Sequence, residues 1–260
     1  MSIDVLQTII YANWHLIIAF FLVSVLYSSV GFGGGSSYLA ILAITSIAFT
    51  QIRSTALLCN IMVVFGNIIS YQKEKLIDWK KVIPLTFFSI PLAFLGGYLK
   101  ISQTFFFILL GVTLLFGSVT MWLSKKTSIP HNTFKTDLNL TQNLSYGGFI
   151  GFISGMVGIG GGIFLAPLLH LTNWSTSRKI AAAASFFILV NSISGLLGQY
   201  ANPDFIIDWQ LTTIFLMTVF IGGQIGSSIS NTLFTPTQLK KATAILVAFV
   251  GLRILYKYLF

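Results

Sequence analysis

The chain has 260 residues, 55% of them hydrophobic and 8% charged, with a mean hydropathy of +0.87 and a formal charge of +9. Soluble globular chains carry about 25% charged residues, so lipid rather than water must cover most of this surface. A positive balance in such a chain reflects basic loops held against a bilayer, and no nucleic-acid partner is expected.

In chain order, apolar segments run over residues 14–30, 36–48, 54–71, 82–99 and 104–123. A polar stretch over 124–143 follows, with Lys125, Lys126, Pro130, His131, Lys135 and Asp137. Further apolar segments cover 144–157, 162–172, 180–200, 210–230 and 241–258. About 20 apolar residues in a helix cross about 30 Å of hydrocarbon, and the alternating segments of a barrel are absent. The expected fold is an all-α polytopic membrane protein with eight to ten membrane segments. Residues 1–13 carry Asp4 and no basic residue, so a cleaved signal peptide is not expected. The single cysteine, Cys59, lies in an apolar run and reads as a small buried hydrophobe.

The two groups of segments are copies of one plan. "VGFGGGSSYLAI" from Val30 returns 127 positions later as "VGIGGGIFLAPL" from Val157. Ile77-Asp78-Trp79 returns as Ile207-Asp208-Trp209, and Gly96 matches Gly226. The expected organisation is a first repeat over 1–123, a cytoplasmic linker over 124–143 and a second repeat over 144–260. Eleven basic residues fall in loops on one side, Lys73, Lys75, Lys80, Lys81 and those of the linker among them, against Arg53, Lys100 and Lys257 on the other. The basic side is expected to be cytoplasmic and both termini periplasmic. Each half crosses an odd number of times, so the halves are expected to be inverted repeats, a plan common among secondary transporters.

The glycine runs are costly, at about 1 kcal/mol per residue against alanine in a helix. Their economical use is to break each half's first helix, leaving a short second helix whose N-terminal amides and dipole suit an anion. Gly31, Gly33, Gly34 and Gly35 with Gly158, Gly160, Gly161 and Gly162 are then candidate binding positions, and Ser36 adds a hydroxyl. The other reading is close helix packing. If the runs form a cradle, valine at Gly34 or Gly161 is expected to block it and leave a folded protein.

Gly31-x-Gly33-x-x-Ser36 lacks the third glycine of a dinucleotide motif, and no Gly-Lys-Ser/Thr exists for a P-loop. No G-x-S-G nucleophile motif and no cluster of Cys and His ligands occurs, so no catalytic residue, metal or cofactor is expected. His15 and His170 read as interfacial polar residues. All six acids, Asp4, Glu74, Asp78, Asp137, Asp204 and Asp208, lie outside the apolar segments, which disfavours a cation substrate. Neutral polar residues do occur inside them, and Asn60, Asn67 and Asn191 are candidate oxyanion donors, with interhelical bonding as the alternative. Arg53 and Arg178 each precede the third segment of their half and could attract an anion at opposite entrances, or anchor helix ends.

The paired runs "SSVGFGGGSSYLAI" and "SGMVGIGGGIFLAPLL", with "RSTALL…NIISYQ…IDW" and "AAAAS…NSISGLLG…IDW", resemble the sulfite exporter TauE/SafE family, also called TSUP, over nearly the whole chain. The resemblance implies a transporter of the bacterial cytoplasmic membrane for a small sulfur-containing anion such as sulfite, a sulfonate or sulfoacetate. It carries the glycine positions above into the expected site and finds the proline after the second run as Pro167; the first copy has Ile41 near the matching place. The implied partners are that anion and membrane lipid, and homo-oligomerisation stays open. An anion channel or a non-transporting scaffold remains the alternative function.

Overall fold

A computed structural model describes residues 3–123, 140–203, 205–229 and 236–260. The linker over 124–139, with His131, and Asp204 lie outside the described residues. These form eleven helices: α1 (Ile3–Ser29), α2 (Gly35–Ala43), α3 (Phe49–Lys73), α4 (Trp79–Phe87), α5 (Ser89–Tyr98), α6 (Gln103–Leu123), α7 (Leu140–Val157), α8 (Gly162–Leu171), α9 (Ser177–Tyr200), α10 (Trp209–Ser228) and α11 (Pro236–Leu259). Six stretches, Gln7–Ser29, Phe49–Lys73, Trp79–Tyr98, Gln103–Leu123, Ser177–Tyr200 and Trp209–Ser228, are long and apolar enough to cross a membrane. The protein is an all-α polytopic membrane protein.

Three boundaries depart from expectation, the first two for a local reason. α1 starts at Ile3, not at residue 14, and Asn13 (φ −120°, ψ 16°) kinks it where the expected segment began. There the Asn13 amide donates back to the Ile9 carbonyl at 3.0 Å. The single segment expected over 82–99 is two helices joined at Phe88. Pro91 has no N–H and its ring crowds the carbonyl four residues back, at Phe87, which ends α4 there. The last residues of the expected linker, 140–143, already belong to α7.

Two antiparallel helices, α3 and α9, make the centre: the start of α3 is bonded to the end of α9 (Ser54 to Gln199) and the end of α3 to the start of α9 (Glu74 to Arg178). Their most apolar windows are 61% and 67% buried, against 17% for the first span. Around them α1 lies along α10, α7 along α5, and α6 along α11; α2 packs on α3 and α11, and α8 on α9 and α6. Small residues bring some of these pairs close. On α7, a Cβ at Gly147, Gly151 or Gly155 would collide with the backbone carbonyls of Leu85, Ser89 and Ala93, the four-residue spacing that lets membrane helices approach.

Candidate functional site

The glycine runs are of a different kind. Gly31, Gly34, Gly158, Gly160 and Gly161 have φ between 82° and 87°, a left-handed conformation that costs other L-residues roughly 1–2 kcal/mol. The runs are therefore chain breaks, whatever close packing they also permit. α2 starts from Gly34 and α8 from Gly161, both left-handed N-cap positions, and neither has a side-chain cap. The amides that open these helices are left for something else to satisfy.

The two breaks meet. A Cβ on Gly35 would stand 2.6 Å from the Ile159 carbonyl oxygen, so the backbones touch at this point. Asn60, in the middle of α3 and fully buried, joins them: its Nδ2 donates to Ile159 O at 2.9 Å, while a Cβ on Gly33 would lie 2.5 Å from its Oδ1. That Oδ1 has no protein partner. α9 does the reciprocal service for the first run, with Ser185 Oγ donating to the Gly31 carbonyl. On the other side of Asn60, a Cβ on Gly160 would stand 2.7 Å from its Nδ2 and 2.8 Å from Ser192 Oγ, a buried hydroxyl also without a partner.

A cleft opens beside this junction, lined by Gly33, Gly34, Gly35, Ser36 and Asn60 from the first half and by Ile159, Gly162, Ile163 and Pro167 from the second. Its remaining walls are largely apolar, with Val30, Phe32, Met121, Ala166 and Ile188. Donors in such surroundings act on a charge with little screening by water. Each helix N-terminus there carries the equivalent of roughly half a positive charge. Among the described residues no group of three or more His, Cys, Asp or Glu is placed to hold a metal.

The other expected residues are spread out. Gly31 lies under the Tyr71 ring and Gly158 against the Arg53 backbone, each at the start of its break. Gly161 sits against Phe187 and Ile150, so valine at this left-handed position would strain the fold as well as any site, contrary to the sequence expectation; the same holds at Gly34, with Val23 and Tyr38 at 3.0 and 3.2 Å. Asn67 accepts from Ser28 Oγ at 3.0 Å and serves helix packing. Asn191 donates to its own helix, at Phe187 O, 2.8 Å away. Neither lines the cleft.

The arginines do not precede their helices but lie in them, Arg53 fifth in α3 and Arg178 second in α9. They occupy opposite ends of the central pair, about 30 Å apart by helix rise. Arg178 is exposed and paired with Glu74. Arg53 is buried, and its Nη2 donates to the Gly97 and Gly155 carbonyls at 3.4 and 3.3 Å. Ser185, Ser192 and Gln199 read from sequence only as polar residues inside spans; in the fold Ser185 reaches the Gly31 carbonyl, Gln199 meets Ser54 of α3, and Ser192 lies beside Gly160.

The family model described as sulfite exporter TauE/SafE matches residues 16–254. The chain belongs to the sulfite exporter TauE/SafE family. It is 32% identical to the probable membrane transporter protein y4hK of Sinorhizobium fredii, over 93% of this chain and 97% of that protein. It is also 23% identical to the probable membrane transporter protein YunE of Bacillus subtilis, over 79% of this chain and 81% of that one. The probable membrane transporter protein MJ0441 of Methanocaldococcus jannaschii is 29% identical over 73% of each chain. No solved structure matches. Family and relatives make this a membrane transporter, and the glycine runs that carried the resemblance are the segments that line the cleft.

Proposed function

We propose that the protein is a secondary transporter that carries a small sulfur-containing oxyanion across a bacterial cytoplasmic membrane through the cleft between its glycine breaks. One observation carries this reading: two runs 127 positions apart contribute helix N-termini to a single cleft, with Asn60 bonded across the junction. Uncapped amides, a buried amide side chain and apolar walls suit a partly dehydrated anion and offer no carboxylate to a cation. The family description supports sulfite or a related sulfonate as cargo.

In this reading residues 1–123 and 144–260 are inverted repeats joined by a cytoplasmic linker, and both termini are periplasmic. The antiparallel α3 and α9, and the matched pairings of α1 with α10 and α7 with α5, support the inversion. Arg53 and Arg178 are the charges at the two entrances. The anion would be held at the junction while the elements on either side open in turn.

The test is uptake of labelled sulfite into proteoliposomes. Saturable uptake with counterflow is expected; conduction without saturation would make the protein a channel, and no flux of any sulfur anion would leave a scaffold. Gly162→Val is the clean blocking variant, because Gly162 has no left-handed φ and its new Cβ meets chiefly the flexible end of Ile188. It should abolish uptake in a protein that still folds. Normal uptake by that variant would remove the cleft from the pathway.

A further inference from the structure

At the Arg53 end of the central pair lies a second, smaller cavity, distinct from the cleft. Its polar wall is made chiefly by Arg53, Ser54, Lys100 and Gln199. Arg53, Ser54 and Gln199 are 5%, 1% and 5% exposed. Arg53 Nε and Gln199 Nε2, buried donors of two residues that line the cavity, have no protein partner. Both groups are held from behind. Ser54 Oγ lies 2.9 Å from Gln199 Oε1 and also reaches the Thr50 carbonyl at 3.1 Å, and so holds the Gln199 amide from behind. Arg53 is fixed through Nη2 alone, by two long bonds to the Gly97 and Gly155 carbonyls. No carboxylate stands among the described residues that line the cavity.

Orphaned buried donors are costly to leave unmade, and here both orphans have the same sign. A neutral packing contact would pair one donor with one acceptor. A guanidinium and an amide donor lining one cavity suit an oxyanion. We propose that Arg53 and Gln199 form a second oxyanion-binding subsite, for a free anion or for the phosphate of a lipid headgroup, in series with the central cleft. Its place in a transport path rests on the reading of the protein as an anion transporter; its binding does not. The second glycine run begins against the Arg53 backbone, where a Cβ on Gly158 would stand 3.1 Å from Arg53 Cα.

The experiment is calorimetric titration of sodium sulfite into the purified full chain in maltoside micelles, which carry no phosphate. Two binding events are expected. Gln199→Leu and Gln199→Glu should each weaken one event at least tenfold and leave the other, the glutamate variant keeping the acceptor for Ser54 while replacing the donor by a negative charge. Gly162→Val should remove the remaining event. Repetition in nanodiscs containing phosphatidylglycerol separates the sources: suppression of the Gln199-dependent event there identifies a lipid headgroup as the competing occupant, and an unchanged event identifies the free anion. A single event lost in Gly162→Val and untouched by both Gln199 variants overturns the subsite and leaves the central reading standing. An event lost only in the Gln199 variants keeps the subsite and sinks the cleft. If sulfite binds nowhere, in micelles or in lipid, both fall.

Discussion

At the end of the central pair where α3 begins, Arg53 is buried against two main-chain carbonyls; at the end where α9 begins, Arg178 stands exposed against the Glu74 carboxylate. The carbonyls that Arg53 meets belong to the last turns of α5 and α7. They carry the negative ends of two helix dipoles, which offset a positive charge without removing its capacity to bind. Arg178 is neutralised by a full opposite charge that water can reach, where salt screens the attraction over about 10 Å at 0.1 M. Two arginines that read from sequence as a matched pair therefore do unequal work. One is buried and held by main-chain carbonyls, and the other is exposed and held by a carboxylate that water reaches.

The largest effect should come from removing the buried charge. Arg53→Leu leaves the Gly97 and Gly155 carbonyls without their donor, and each unmet buried acceptor costs about 1–3 kcal/mol. Thermal unfolding in detergent should show clear destabilisation, and sulfite uptake should fall at least about tenfold. Arg53→Lys should recover stability better than uptake, since an ammonium keeps the charge but loses the planar fork. Equal recovery of both would make Arg53 a strut and nothing more.

Next come the two straps on the glycine breaks. Asn60→Leu removes the donor to Ile159 O, and Ser185→Ala the donor to Gly31 O. Each should lower stability by about 1–3 kcal/mol, the cost of a buried acceptor left unmet. Only Asn60 lines the cleft, so only Asn60→Leu should also weaken sulfite binding on the folded fraction. Equal losses of affinity in the two variants would mean that both act by holding the backbone.

How much of this was legible follows the range over which each feature is determined. Segment lengths and the breaks are local: twenty apolar residues name a span, and glycines flanked by apolar runs name a break. The meeting of the two runs needed only the repeat. Pro91 was a visible signal for the α4/α5 break, outweighed by the apolar continuity of 82–99. The pairing of Ser54 with Gln199, 145 positions apart, depends on how α3 and α9 pack, and no local pattern encodes it. Likewise, nothing around Arg53 tells that α5 and α7 will bring carbonyls to it, whereas Glu74 and Arg178, both near helix ends, were already placed where water reaches them.

The smallest effect, and the sharpest for the comparison, belongs to the exposed pair. An ion pair in water contributes about 0–1 kcal/mol, so Arg178→Gln, Glu74→Gln and the double variant should all unfold within that range of the parent chain. Transport should separate them where stability does not. In Glu74→Gln the Arg178 charge loses its partner, so an approaching anion meets a stronger local field and initial sulfite uptake should rise at low ionic strength. The gain should vanish as salt approaches 0.1 M and above, because screening then cuts the attraction within about 10 Å. Arg178→Gln should show the opposite change, smaller than that of the Arg53 variants at any salt. Uptake rates that are the same in all three variants, measured from low to high salt, would reduce Arg178 to an anchor for the start of α9 and leave Arg53 as the molecule's one functional arginine of the two.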